Sequence, residues 1–256
     1  MSDKREREKR REERLAAESQ VDTQDRRKKL LQLGAGAAFL VVVAIAVLIV
    51  ISASGDDGGD AGNIKDVADV EQELSGIEQD GMVLGDPSAP VELIEFGDLQ
   101  CPVCKANSEE ALPGVIEGAV AQGQARIAFH NFIIISEESE PAGAAALAAG
   151  EQGRGWNYVN LFYRNQGKEA SGYIDDEFLT AIAKAAGVKD LDKWNADRNG
   201  AKIKDEVRKT SEEAQRLGFE GTPSFAIKGP GANGLEPLGN LASTGEIEAA
   251  ISAAAG

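Results

Sequence analysis

Cysteine and histidine are almost missing from this 256-residue chain, which has two of the first and one of the second. Both cysteines fall in Cys101-Pro102-Val103-Cys104, so there is no spare pair for a separate structural disulfide, and stability has to come from a core. His130 is the sole imidazole, which excludes sites built on two histidines such as the His-Glu-x-x-His zinc motif. Positive charge is scarce as well: 27 Lys and Arg stand against 43 Asp and Glu, a formal net charge of -16. The imbalance is uneven. Residues 1–29 hold eleven Lys and Arg against eight Asp and Glu, leaving sixteen against thirty-five for the remainder. A body of that sign repels phosphate backbones and anionic head groups, so no nucleic acid is expected as a partner and the bulk of the chain should stay off lipid. An internal repeat is also lacking. Alanine-rich tracts such as Ala144 to Ala149 are good helix formers that signal close helix packing.

What is present begins with an uncharged run, Leu33 to Ile51, long enough as a helix to cross a bilayer. Arg26-Arg27-Lys28-Lys29 precedes it, and Asp56, Asp57 and Asp60 follow. That bias puts the N-terminus in the cytoplasm and the residues beyond about 54 outside, in the cell membrane's extracytoplasmic space. A cleavable signal peptide is the competing reading, since Ser52 to Gly55 are small, but its apolar region normally spans about 7 to 15 residues. The chain thus divides into a charged cytoplasmic tail (1–29), a transmembrane helix (30–53), an extracytoplasmic linker (54–80) rich in Gly and Asp, and a folded domain (81–256). Within the linker, Asp66 to Ile77 has the makings of a short helix, with nothing to say whether it packs on the domain. The first 29 residues carry no core of their own.

The domain reads as α/β. Val91 to Phe96 is a buried strand, the stretch after Cys101 a helix, and Ala125 to Ile135 a second β-rich run. A strand–helix–strand unit of this kind makes a parallel pair, with active groups gathered at the carboxyl ends of the strands, where the cysteines lie. Residues 137–218 then read as an inserted helical subdomain, with Ile203, Val207, Ala214 and Leu217 at helical spacing and Leu179, Ile182, Ala183 and Ala186 forming another apolar face. The sheet resumes at Ser224 to Ile227, with Leu235 to Leu238 as a hairpin partner, and Gly245 to Ala254 forms a last helix.

Two cysteines spaced by two residues at a helix start have a definite physical consequence. The first thiol sits among unpaired backbone N–H groups, where the helix dipole favours an anion. Cys101 is therefore the expected nucleophile. A helix terminus contributes up to about 2 kcal/mol, and a pKa unit is worth about 1.36 kcal/mol, so the terminus alone lowers the thiol pKa by roughly 1.5 units. Cys104, one turn on, is placed to resolve a mixed disulfide formed at Cys101. Pro102 suits the first helical position. The same spacing also occurs in half a zinc site and in small structural disulfides. A zinc ion, however, needs four ligands, and so short a loop removes little chain entropy.

A second element, Gly221-Thr222-Pro223-Ser224-Phe225, leads into an apolar strand far downstream. Together with Asp98-Leu99-Gln100-Cys101-Pro102-Val103-Cys104 and the helices between, it resembles the DsbA-like thioredoxin-fold proteins, particularly the membrane-tethered BdbD type, over residues 81 to 256. The resemblance implies that Pro223 is cis and faces the cysteines, and that the backbone of Thr222 pairs with an extended substrate peptide, as strand addition would. An ordinary trans-Pro turn is the plain alternative. It also implies that Glu95, six residues before Cys101, is a buried acid that relays a proton to Cys104. Such a carboxyl would have a raised pKa, whereas an exposed glutamate at a strand edge would have no such role. The dipeptide departs from the strongly oxidising DsbA type, which carries Pro-His where Pro102-Val103 stands here. A donor to the Cys101 thiolate is thus absent, and His130 is expected to have a place on the strand surface or in the core.

The expected activity is extracytoplasmic thiol–disulfide exchange with no cofactor beyond the redox-active Cys101–Cys104 disulfide. In the leading form it is a dithiol oxidase acting on exported or unfolded proteins with cysteines and reoxidised by a membrane partner of the DsbB or vitamin K epoxide reductase type, as the family implies. A reductase or isomerase of the same compartment runs the chemistry the other way. A non-catalytic thioredoxin-like module or chaperone holding peptides at Thr222 and Pro223 is the reading from another class, and the presence of both cysteines argues against it.

Overall fold

The computed structural model describes residues 63–256. The transmembrane helix and the charged tail expected from the sequence lie outside them. Among the described residues no helix is long and apolar enough to cross a membrane.

A short helix, α1 (Val67–Glu73), opens the described part and is followed by a two-residue hairpin, β1 (Gln79–Asp80) and β2 (Val83–Leu84). Val70 and Leu74 are buried, and Glu71 and Glu73 pair with Arg154 and Arg164. The sequence boundary at residue 81 therefore falls inside a hairpin, and the stretch read as linker up to residue 80 belongs to the packed body from α1 onward. The physical reason is an apolar stripe too short to stand out in a charged stretch, which is buried because it has the domain to lie on.

The central unit follows as β3 (Val91–Gly97), α2 (Pro102–Glu110), α3 (Leu112–Val115) with a π-helical turn over Ile116–Val120, and β4 (Ala125–Asn131). β3 and β4 run parallel in register from Val91 opposite Ala125 to Gly97 opposite Asn131. The β-rich run expected to reach Ile135 stops at Asn131 because β3 has no residue left to pair with it.

Five helices fill the interval before the sheet resumes: α4 (Ser139–Gly150), α5 (Gly155–Arg164), α6 (Asp176–Ala185), α7 (Leu191–Asn199) and α8 (Ala201–Arg216). Asp175 and Asp190 cap α6 and α7 by accepting backbone N–H bonds, which satisfies donors the helix cannot. The alanines of α4 let neighbours approach closely, and Trp194 donates its indole N–H to the Ala145 carbonyl at 2.9 Å. The chain ends with β5 (Ser224–Lys228), β6 (Glu236–Gly239) and α9 (Thr244–Ala255).

The six strands form one sheet in the order β1-β2-β4-β3-β5-β6, with β5 antiparallel to β3. Period-two alternation divides the central strands between two cores. Leu93, Ile127, Phe129, Phe225 and Ile227 join the larger cluster, which also contains both cysteines. Ile94, Phe96, Ala128 and Ala226 turn to the other side, toward Ala214 of α8 and Phe132. β3 is buried along nearly its whole length, which is why it reads as a continuous apolar run.

Candidate active site at the start of helix α2

The strand β3 ends at Gly97, where a β-carbon would come within 2.7 Å of the Phe129 ring and 3.0 Å of the Tyr163 hydroxyl. A residue with a side chain does not fit there. The chain then turns through Asp98, which is fully buried. Its carboxylate accepts the Gln100 N–H at 2.9 Å on one oxygen, and the N–H groups of Ile134 and Ile135 at 2.9 and 3.0 Å on the other. Its carbonyl accepts from the Cys101 N–H at 2.9 Å and from the Tyr163 hydroxyl at 3.3 Å. Gln100 donates to Ser136 and Ser139 at 2.6 and 2.9 Å and accepts the Ala170 N–H at 2.8 Å. Gln166 donates to the carbonyls of Leu99 and Cys101 at 2.6 and 3.2 Å. The backbone entering α2 is held from every side before the first cysteine is reached.

Cys101 is the N-cap of α2 and Pro102 its first residue, a position where a missing N–H costs nothing. Both cysteines are free thiols. Cys101 Sγ accepts the Cys104 N–H at 3.4 Å and donates to the Thr222 carbonyl at the same distance. Its pKa is lowered to about 6, chiefly by a hydrogen bond from the Cys104 thiol, with smaller help from Thr222 and the backbone N–H groups of Cys104 and Val103, against the opposing effect of burial. Cys104, fully enclosed, is pushed well above the usual thiol range by burial and by its neighbour's charge. One helical turn separates a stabilised thiolate from a thiol that holds its proton.

Glu95 lies on the cysteine side of the sheet and is fully buried, with neither carboxylate oxygen hydrogen-bonded. Burial raises its pKa to about 8, and the nearby Cys101 adds to the shift. β3 lies between β4 and β5, so this glutamate is not at a strand edge. The Thr222–Pro223 peptide bond is cis and leads into β5, whose pairing with β3 brings residues 121 positions apart to one place. His130 stands on the opposite core's side, half-buried, with Nδ1 3.0 Å from Glu213 and its ring edge-on to Phe96. It takes no part in the site.

The structure thus brings together Cys101, Cys104, Glu95, Thr222 and Pro223. Sequence reasoning assigned no role to Asp98, Gln100, Tyr163 or Gln166. A signal existed for one of them: an aspartate directly after a strand, accepting the N–H two residues on, is an Asx turn. Tyr163 comes from α5 and Gln166 from the turn just after it, and no local pattern announces that they meet the backbone at Asp98, Leu99 and Cys101. Among the described residues no group of three or more His, Cys, Asp and Glu is arranged to hold a metal ion.

Comparison with known proteins agrees with this geometry. A family model described as Thioredoxin matches residues 78–239. The probable disulfide bond formation protein D of Bacillus anthracis is 34% identical over 153 residues, covering 59% of this chain and 70% of that protein. The chain belongs to this DsbA-like family. It is a protein-disulfide oxidoreductase of thioredoxin fold. Among solved structures, oxidised BdbD from Bacillus subtilis superposes with a TM-score of 0.59 at 20% identity, covering 69% of this chain and 96% of that one. A thioredoxin-like oxidoreductase from Silicibacter pomeroyi gives 0.54 at 27% identity, covering 66% and 89%. The DsbA-like site in this chain differs from the strongly oxidising Pro-His type in having half-exposed Val103 between the cysteines.

Proposed function

We propose that this DsbA-like protein is a dithiol oxidase of the extracytoplasmic space, tethered by the apolar run at 33–51 and donating its Cys101–Cys104 disulfide to exported proteins. The observation that carries the reading is the contrast between the two thiols, since Cys101 is stabilised as a thiolate with its pKa near 6 while Cys104 is held protonated. A stabilised thiolate favours the reduced form of the pair, and that makes the disulfide a better oxidant. The relatives named disulfide bond formation protein D support the same direction.

In the oxidised protein, a substrate thiolate attacks Cys101 Sγ, a substrate–Cys101 bond forms, and the Cys101–Cys104 bond breaks. Cys104 leaves with the electron pair and takes a proton, for which Glu95, a carboxyl with its pKa near 8, is the donor in reach of the same buried space. A second substrate thiolate attacks the substrate sulfur of the mixed disulfide and releases the Cys101 thiolate, whose low pKa makes it a good leaving group. The substrate leaves oxidised by two electrons, and the protein is left as a dithiol. Thr222, whose carbonyl lies 3.4 Å from Cys101 Sγ, offers backbone to an extended substrate strand beside the reacting sulfur. A quinone-linked membrane oxidase of the DsbB or vitamin K epoxide reductase type then takes the two electrons.

Reductase or isomerase activity in the same compartment is the second reading, favoured by Val103 in place of a donor to the thiolate. The equilibrium reduction potential of the pair against glutathione separates the two. A value of roughly -120 to -180 mV is expected for a disulfide donor, and one near about -270 mV would replace it with a reductase.

A further inference from the structure

Among the described residues, the large apolar side chains left exposed are Val103, inside the cysteine motif, and Ile134. Ile134 belongs to the segment that leaves β4 and runs past the start of α2. Its N–H and that of Ile135 are fastened to Asp98, and Ser136 to Gln100, so the segment is bonded to the residues three and one before Cys101. The N–H of Ile133 goes to the Ser211 hydroxyl at 2.9 Å. Ile133 packs toward Ile203 and Val207, and Ile135 packs on the main core. With its neighbours rooted on two sides and its backbone bonds occupied, the segment has no way to turn Ile134 inward. The result is an open groove of about 550 Å³ lined by Ile133, Ile134, Ile135, Ser136, Glu137 and Glu140.

The charged residues that line this groove are both acidic. Glu137 and Glu140 are exposed on its rim, and Glu220, two residues before Thr222, is exposed as well. We propose that this groove selects substrate segments in which the reacting cysteine is accompanied, within a few residues, by an apolar side chain for Ile134 and a Lys or Arg for Glu137 and Glu140. The inference rests on the oxidase reading above and adds the substrate class to it. An apolar floor supplies contact area, and carboxylates at a rim act mainly on the association rate, drawing in cations and turning away anions. The surroundings amplify the effect, because beyond residue 29 the chain carries thirty-five acidic residues against sixteen basic ones.

The test uses oxidised protein and two synthetic peptides with the same two cysteines and the same leucine, one carrying lysines beside the cysteines and the other glutamates, with dithiothreitol as a third reductant. The lysine peptide is expected to be oxidised about tenfold faster at low ionic strength, the lower end of electrostatic steering, with the ratio collapsing in high salt. Glu137→Gln/Glu140→Gln should reduce that ratio several-fold. Glu117→Gln/Glu248→Gln, which removes the same charge from exposed positions at the other end of β4, should keep it. Ile134→Ser should slow both peptides by a similar factor and leave the ratio as it is. Thermal melts show which variants fold, and the Ile134 and glutamate variants report separately. Equal rates for the two peptides, an undiminished ratio in the groove variant, or the same loss in the distant variant would each overturn the selectivity. If dithiothreitol also fails to react, the oxidase reading itself falls; if it reacts while the peptides are not distinguished, only the groove assignment does.

Discussion

The two sides of the central sheet are built to different standards. Behind it, Ile94, Phe96, Ala128 and Ala226 meet Ala214 and Phe132, with the Phe96 ring 5.2 Å from His130 and 5.4 Å from Phe219. In front of it, one residue along the same strand, Glu95 is buried with both oxygens unpartnered, beside a buried thiol. Leaving a buried polar group unsatisfied costs about 1–3 kcal/mol. The front face belongs to the larger core and still gives up stability at Glu95, whereas the smaller rear cluster holds no unpartnered buried carboxylate. A glutamate is tolerated in the middle of the sheet because apolar packing on both sides of the same strand offsets the loss.

The comparison breaks most readily at Glu95. Replacing it with leucine should slow turnover toward a peptide dithiol by about 10²-fold or more, the usual worth of a positioned general acid, while raising the melting temperature. Stopped-flow oxidation and calorimetry on the same sample check both. A variant that turns over normally would remove the carboxyl from the mechanism and leave the front face merely imperfect. Phe96→Ala should do the reverse: about 3–5 kcal/mol of stability is lost on denaturant unfolding, while the Cys101 alkylation rate keeps its midpoint near pH 6. A shifted midpoint would show that the two faces are coupled.

The effect that is smallest per step measured, the change in stability for each pH unit, is the most diagnostic, because it depends on the redox state. Glu95 has its folded pKa near 8 against an ordinary 4.5. Between those values the folded protein keeps a proton the unfolded chain has released, so stability falls as pH rises, by up to about 1.4 kcal/mol per pH unit. Cys101 has the opposite sign: its folded pKa is near 6 against 9.0, so from about pH 6 upward the unfolded chain binds the extra proton and stability rises. In the oxidised protein the thiol does not titrate, and burial still holds Glu95 up. Unfolding curves for the oxidised form should therefore weaken steadily through this range, those for the reduced form should level off above about pH 6, and Glu95→Gln should remove the decline from both. Parallel curves for the two redox forms would contradict the assignment of the low pKa to Cys101.

How much of this was legible depends on the distance over which each residue's surroundings are decided. Cys101 and Cys104 could be read because the helix start and the spacing are local. The helical insertion was visible in the spacing of Ile203, Val207 and Ala214, all of which are buried on α8. Asp98, Gln100 and Gln166 were passed over, since a buried polar side chain looks like any surface residue until its partners arrive, and theirs lie from two to 70 residues away. α1 was left undecided for a related reason. Its buried residue Val70, with Leu74 just past its end, has meaning only against the core it joins.

The amino-acid sequence by itself determined the order of strands and helices from Val91 onward, the net acidic charge and the place of the cysteine pair at a helix start, because backbone propensity, charge count and the spacing of Cys-x-x-Cys are properties of neighbouring residues. The tertiary structure alone decided that Glu95 faces the cysteines rather than the solvent, that Thr222 reaches Cys101 across 121 residues, and that Ile134 is held outward. Each of these depends on which chain segments the sheet register and the helical layer press together. Burial and electrostatic coupling arise only once those distant segments have met.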